Sequence, residues 1–393
     1  MNSKERFLAA LSGKVPDRVP VTPDFSNMIP AKRTGLPFWD IYFFDGCPLW
    51  EAYLETADYF GIELWNVSGW WNRFLYADQS VEYSITHKFD RAKDAMVRQT
   101  VMHTRLGDLS QEEICFRFDP PTLRHKYLKE PLRDWPLFRE SLTLPTALDR
   151  PDIEKNRQEC HQRQQAFGLA YGFPGFHSWF SSVEAGVETL SYLSMDNPEI
   201  LEEWFEFDLA IGTRSVQLLL AEKPDYLFFG GSGTITLASP DLARRYALPA
   251  LKKWTAMAKA AGVPTLIHSC GKSRVLVDML VEETDMNCIN PLEVAPMGDV
   301  DLAEVKRSRG RSIALMGNLH TTDLMLRGTP EQVYQASVAA MDAAADGGGF
   351  ILSTGDQCPR DTPEANIFAM VAAAKEHGVY DRETGLLVRP RRQ

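Results

Sequence analysis

The six cysteines (Cys47, Cys115, Cys160, Cys270, Cys288, Cys358) lack any paired spacing. A disulfide framework is therefore excluded, and reduced thiols in a cytoplasm are the expectation. Basic residues form no long run and the net charge is −11, which argues against a nucleic-acid partner and against an anionic membrane surface. No apolar stretch is long enough to span a bilayer. The charged start, Met1 to Leu8, is followed by no apolar core of a signal peptide, so a secretory leader is not expected. Repeats and low-complexity tracts are also missing. What is present is ordinary for a soluble enzyme: 393 residues, 44% hydrophobic and 24% charged, enough for a large core.

Strand and helix patterns alternate along most of the chain. Strands are predicted at 19–25, 62–67, 167–172, 225–229, 263–270, 286–290, 312–317 and 350–354, with helical periods between them. Pro20 and Pro23 make the first of these short. Asn2 with Glu5 forms a capping box for a first helix whose buried stripe is Phe7, Leu8 and Leu11. About eight β/α units predict a single (β/α)8 TIM barrel over 1–393, with a doubly wound sheet as the alternative. Between about 72 and 150 the alternation becomes polar–apolar, at Ser80–Ile85 and Met96–Met102, the pattern of antiparallel strands with one wet face. This piece reads as an excursion from the barrel, a lid or a surface for a homodimer.

The most telling motif is His268-Ser269-Cys270-Gly271, which closes the apolar run Val263–Ile267. Side chains at i and i+2 of a strand share a face, so imidazole and thiol project together. That pair suits zinc, given a third ligand from elsewhere. The segment Asp356-Gln357-Cys358-Pro359 follows the last predicted strand and offers one. Cys358 matches the preference of zinc for sulfur, whereas Asp356 would make a more Lewis-acidic ion; Cys358 is the expected ligand. Loops after the other strands carry Asp24, Trp70, His177, Asn290, Glu293, Asn318 and His320. Glu293 and Asp24 are the candidate catalytic carboxylates. Trp70, His177, Asn290, Asn318, His320 and Asp356 are candidate substrate contacts. Gly230-Gly231-Ser232-Gly233 lacks the spacing and the lysine of a phosphate loop and reads as a tight turn.

Several segments together resemble the uroporphyrinogen decarboxylase superfamily. They are Pro16-Asp17-Arg18-Val19-Pro20-Val21, Pro174 to Gly186 with Asp196-Asn197-Pro198-Glu199, the His268 segment, Asn290-Pro291-Leu292-Glu293, Met316-Gly317-Asn318 and Thr362 to Asn366. The resemblance implies a TIM barrel. That superfamily contains true decarboxylases, with an arginine-bearing N-terminal segment, and zinc-dependent, corrinoid-linked methyltransferases that bind zinc through His-x-Cys and a distant cysteine. Here the N-terminal segment is Asp24-Phe25-Ser26-Asn27-Met28-Ile29, with no arginine, which makes uroporphyrinogen an unexpected substrate. The methyltransferase branch implies Zn2+, a corrinoid and a small methylated donor, or a thiol or folate acceptor. The chain lacks an Asp-x-His-x-x-Gly motif, so the corrinoid is expected on a separate protein. The alternative is a decarboxylase acting on another acid, with Asp24 stabilising a protonated intermediate.

Overall fold

The computed structural model describes residues 1–26, 28–65, 73–77 and 80–389. Twelve strands are seen among the described residues. The first six are β1 (Phe74–Leu75), β2 (Glu82–Asp90), β3 (Ala95–Thr104), β4 (Gly107–Phe116), β5 (Thr122–His125) and β6 (Ala147–Leu148). The rest are β7 (Gly168–Gly172), β8 (Tyr226–Gly230), β9 (Thr265–His268), β10 (Cys288–Asn290), β11 (Ala314–Leu319) and β12 (Phe350–Thr354).

Strands β7 to β12 form one parallel sheet in sequence order, with every neighbouring pair hydrogen-bonded. Parallel neighbours need crossovers, and each is supplied by helix, such as Leu248–Ala260 between β8 and β9 and Pro330–Ala344 between β11 and β12. The strands are buried on both faces, and their residues divide with a period of two. Leu227, Phe229, Ile267, Ile289, Leu315, Phe350 and Leu352 join the large cluster shared with the helices. Their neighbours Phe228, Leu266, Cys288, Ala314, Met316 and Ile351 form a second, inner cluster with Trp65. Phe7, Ala10 and Leu11 of the capped helix Ser3–Leu11 belong to this inner cluster as well, and the Asn2–Glu5 box is formed.

The α/β class and the antiparallel N-terminal strands are present. A closed eight-stranded barrel is not traced among the described residues, because the first two predicted strands form no ladder. Segment 19–25 touches the sheet through a parallel bridge between Val21 and Leu352, with the Thr22 N–H donating to Leu352 O at 2.9 Å. Segment 62–65 joins it through the Glu63 N–H to Val21 O, 3.0 Å. Its next N–H, at Leu64, goes to the side chain of Gln165 at 2.9 Å. The physical reason is plain: Pro20 and Pro23 have no N–H to give, and side chains substitute for ladder partners. Glu63 reinforces the junction. Its buried carboxylate accepts from Val21 N, Arg6 Nη1 and Arg18 Nη2 at 2.8, 2.6 and 2.8 Å.

Strands β2 to β5 form a four-stranded antiparallel sheet, and β1 pairs with β6 where the excursion leaves and rejoins the rest. Its inward residues Met102 and Leu109 share a cluster with Trp135, Trp179, Trp204 and Tyr246, so the sheet packs on helices of the α/β part. Among the described residues no helix is long and apolar enough to cross a membrane.

Candidate metal centre

The inner cluster ends where four strands turn polar. Two residues beyond Leu266, Cys288, Met316 and Ile351, on the same face, stand His268, Asn290, Asn318 and Ser353. All four are buried. Apolar layer below and polar layer above follow from one alternation carried across adjacent strands.

His268 is the last residue of β9 and lies directly across from Asn290, the last of β10. Its Nδ1 is 2.7 Å from Asn290 Oδ1, and the amide nitrogen of Asn290 donates to Met316 O at 3.3 Å. The amide is thereby oriented with oxygen toward the ring. Nδ1 directs its proton to that oxygen, and Nε2 faces outward, where an ion would take its lone pair in place of a proton. On that side Nε2 is 3.6 Å from Asp356 Oδ1. Cys270 follows in the turn after the strand. The ligand atoms of His268, Cys270 and Asp356 all lie within 4.8 Å of one another, close enough for one ion.

Asp356 reaches this place through its backbone. Its φ of 106° is rarely adopted by a residue with a Cβ, and Thr354 Oγ1 donates to its carbonyl at 2.8 Å. Cys358 lies outside the group. It is buried, its N–H donates to Asp24 O at 2.7 Å, and its Sγ is 3.8 Å from Thr354 Oγ1. Burial pushes that thiol well above the ordinary range.

Two further carboxylates complete the surroundings. Asp24 is fully buried; Oδ1 accepts from the N–H and hydroxyl of Ser26 at 2.8 and 2.6 Å. Among the described residues Oδ2 has no hydrogen-bond partner, and it sits 3.6 Å from His268 Nδ1. Burial raises the pKa of Asp24, with Asp356 adding to the rise and His268 opposing it. Glu293 Oε1 accepts from the Gly271 N–H at 2.6 Å; burial raises its pKa against that hydrogen bond, and Asp356 adds to the rise. Burial disfavours an imidazolium at His268, but the Cys270 hydrogen bond and the Asp24 and Asp356 charges outweigh it, pushing the ring up to about 10. Three carboxyl groups and a thiol gather round one imidazole, and a cation is what these donors fit. Nitrogen, sulfur and oxygen together suit zinc.

The other predicted residues divide clearly. Asn318 is buried beside the site, its amide nitrogen donating to Leu292 O at 3.0 Å. His177 is a core residue: Nε2 donates to Phe173 O at 3.0 Å, and burial lowers its pKa to about 4. His320 caps the helical turn Thr321–Leu326, accepting from Asp323 N at 3.1 Å. Trp70 lies outside the described residues. Two residues were not anticipated from the sequence, Thr22 and Ser353, both buried with hydroxyls that lack partners. The period of two along their strands was the available signal.

Fold and site together define an α/β protein with a mixed nitrogen, sulfur and oxygen donor group at the ends of its parallel strands. The pattern of the family described as Uroporphyrinogen decarboxylase (URO-D) matches residues 186–377. A methylated-thiol–coenzyme M methyltransferase of Methanosarcina mazei is 27% identical over 197 residues, 49% of each chain. A methylcobamide:CoM methyltransferase of Methanosarcina acetivorans is 26% identical over 220 residues, 54% of this chain and 56% of that one. The chain thus spans about half the length of the curated relatives it matches. A solved methyltransferase from Methanosarcina mazei superposes over 96% of this chain and 99% of its own, with a TM-score of 0.65 and 16% identity, a likeness of fold. Residues 186–377 thus resemble the uroporphyrinogen decarboxylase family, and these two curated relatives are coenzyme M methyltransferases.

Proposed function

We propose that this chain transfers a methyl group between a small methylated compound and a corrinoid carried by a separate protein, using zinc held by His268, Cys270 and Asp356. The observation that supports this most is the convergence of those three donors within 4.8 Å, with Asn290 fixing the tautomer of the imidazole. In this reading segments 19–25 and 62–65 complete an eight-stranded barrel around the site. The similarity to methyltransferases that use methylcobamide supports the corrinoid partner.

When bound, the ion would supply Lewis-acid polarisation of the heteroatom that carries or accepts the methyl group. The residues of the chain do the rest. Asn290 retains the Nδ1 proton, so His268 offers Nε2 as ligand. Cys270 and Asp356 offer anionic sulfur and oxygen, which together balance a divalent charge. Asp24 places Oδ2 3.6 Å from His268 Nδ1, the nitrogen opposite the ligand atom, where it supports the protonated side of the ring. Glu293 fixes the turn bearing Cys270 through the Gly271 N–H. That glycine has φ 81°, and a Cβ there would meet Thr236 Oγ1 at 2.1 Å, so the turn admits no larger residue.

The test is a methyl-transfer assay with Co(I) corrinoid and a panel of methyl ethers, thioethers and amines, following the cobalt spectrum. Stoichiometric zinc, activity lost on chelation and restored by zinc, and inactivity of Cys270→Ser support the proposal. Methyl transfer that survives complete zinc removal would overturn the role of the ion, and no transfer from any donor with zinc bound would overturn the methyltransferase reading.

A further inference from the structure

The two edges of the four-stranded antiparallel sheet are built differently. At one edge β5 is short, and its register against β4 shifts at Glu112 and Glu113. The chain that follows it is tied down, with the Leu128 N–H donating to Ser182 O at 2.9 Å and a parallel bridge between Leu128 and Val183. A short strand, a bulge and a covering segment are how a sheet blunts an edge. At the other edge β2 has none of these. It runs without proline or bulge in unbroken register with β3, from Glu82 opposite His103 to Asp90 opposite Ala95. Among the described residues β3 is its only strand neighbour, and Glu82 to Phe89 are all exposed. Such an edge offers a row of backbone N–H and C=O groups to another strand.

The side chains of β2 decide which strand fits. Tyr83, Ile85, His87 and Phe89 share one face. On that face the rings of Phe44 and His87 are 4.8 Å apart and those of Trp39 and Phe89 are 5.7 Å apart. Phe44, Tyr83 and Ile85 remain exposed, Ile85 by 54%. Glu82, Ser84, Thr86 and Lys88 lie on the other, polar face. Across the same sheet Arg98 pairs with Glu113 at 2.7 Å and Arg124 with Glu112 at 3.0 Å. Glu82 and Lys88, among the described residues, have no ion-pair partner.

We infer that β2 pairs edge to edge with β2 of a second copy of this chain, antiparallel and centred on Ile85, joining two four-stranded sheets into one. A two-fold axis normal to the sheet keeps each face on its own side, so only residues of one face stand opposite each other. Centring on Thr86 sets Glu82 against Asp90, and centring on Lys88 sets that lysine against itself. Centring on Ser84 or on His87 opposes no two charges. Centring on Ile85 sets Glu82 against Lys88 of the second copy at both ends of the paired segment. On the other face it sets Ile85 against Ile85 and Tyr83 against His87. Unlike charges directly across a ladder stabilise it and like charges weaken it, so this register is selected. The paired edge is small beside a permanent interface, and the dimer therefore dissociates on dilution. The surface belongs to a different sheet from His268, and its pairing is independent of zinc.

Sedimentation velocity on the full chain tests this, over a series from about 1 μM to about 1 mM, the span of a weak reversible dimer. The expected result is a monomer–dimer equilibrium. Glu82→Lys and Lys88→Glu each weaken it at least about fivefold, because each sets like charges opposite at both ends. The double variant Glu82→Lys/Lys88→Glu regains the affinity of the parent to within about twofold. Ile85→Lys, which brings two ammonium groups together at the centre, leaves only monomer. All three positions are exposed, and circular dichroism matching the parent shows that each variant is folded. A parent chain that is monomeric throughout the series overturns the proposal. A dimer that Ile85→Lys leaves intact overturns it too, since the interface then lies elsewhere. Single charge swaps without effect, or a double variant as weak as either single one, overturn the register centred on Ile85.

Discussion

Asn290 accepts the Nδ1 proton of His268 across 2.7 Å, from the directly opposed position on the neighbouring parallel strand. The contact fixes ring orientation and tautomer together, because the amide of Asn290 is itself held by Met316 O. Removing the partner of a ligating histidine typically costs about 10- to 100-fold in metal affinity. Asn290→Leu is expected to weaken zinc binding by roughly that factor, measured by competition with a chromophoric chelator. Unchanged affinity would mean that the asparagine merely packs.

Asp356 and Cys358 give opposite expectations. Asp356→Asn is expected to lose most of its zinc, because the carboxylate is one of the three converging donors. Cys358→Ala is expected to keep zinc and to lose about 1–2 kcal/mol of stability, the cost of deleting a small buried group. Denaturant titration and metal analysis on both variants distinguish the two. Zinc lost from Cys358→Ala and kept by Asp356→Asn would exchange their roles.

His177 makes stability depend on acid. Folding keeps its ring neutral, with burial lowering the pKa from 6.5 to about 4. Below pH 6.5 the unfolded chain binds a proton that the folded chain refuses, so this contribution is lost as pH falls toward 4. From pH 7 to pH 5 it amounts to about 2 kcal/mol. His177→Gln should therefore lose about that much less stability than the parent chain over the same interval. Equal losses in urea denaturation at the two pH values would contradict the assignment.

Glu63 joins the two irregular N-terminal segments, holding Arg6 and Arg18 at 2.6 and 2.8 Å. Glu63→Ala leaves both guanidinium groups short of an anion and frees the Val21 N–H. The expected loss is about 3 kcal/mol, since breaking a buried pair strands the remaining charge. A loss below about 1 kcal/mol would show the network to be solvated.

Much of this was readable in the chain. The apolar run before His268 put a strand there, but that strand ends at His268, and the turn after it rather than a shared strand face brings Cys270 to the imidazole. The strands from 168 onward were marked by short aliphatic runs with helical periods between. Strand β4 was hidden because Ser110-Gln111-Glu112-Glu113 is polar, and its pairing with β3 comes from tertiary context. The first two strands were expected in a ladder, and Pro20, Pro23 and the Gln165 side chain leave in its place one bridge and a few single hydrogen bonds. Cys358 was favoured for its sulfur, yet the turn at Asp356, with φ 106°, brings the carboxylate round instead. Such a backbone conformation leaves no trace in residue type when the residue is not glycine. His320 and His177 illustrate the converse, since histidines near strand ends also serve as a cap and as a core residue.

The most direct measurement is zinc-edge X-ray absorption on the purified full chain. The account predicts one zinc per chain with a single sulfur neighbour at about 2.3 Å and the remaining neighbours nitrogen or oxygen at about 2.0–2.2 Å. Two sulfur neighbours, or a chain that binds no zinc at all, would contradict it.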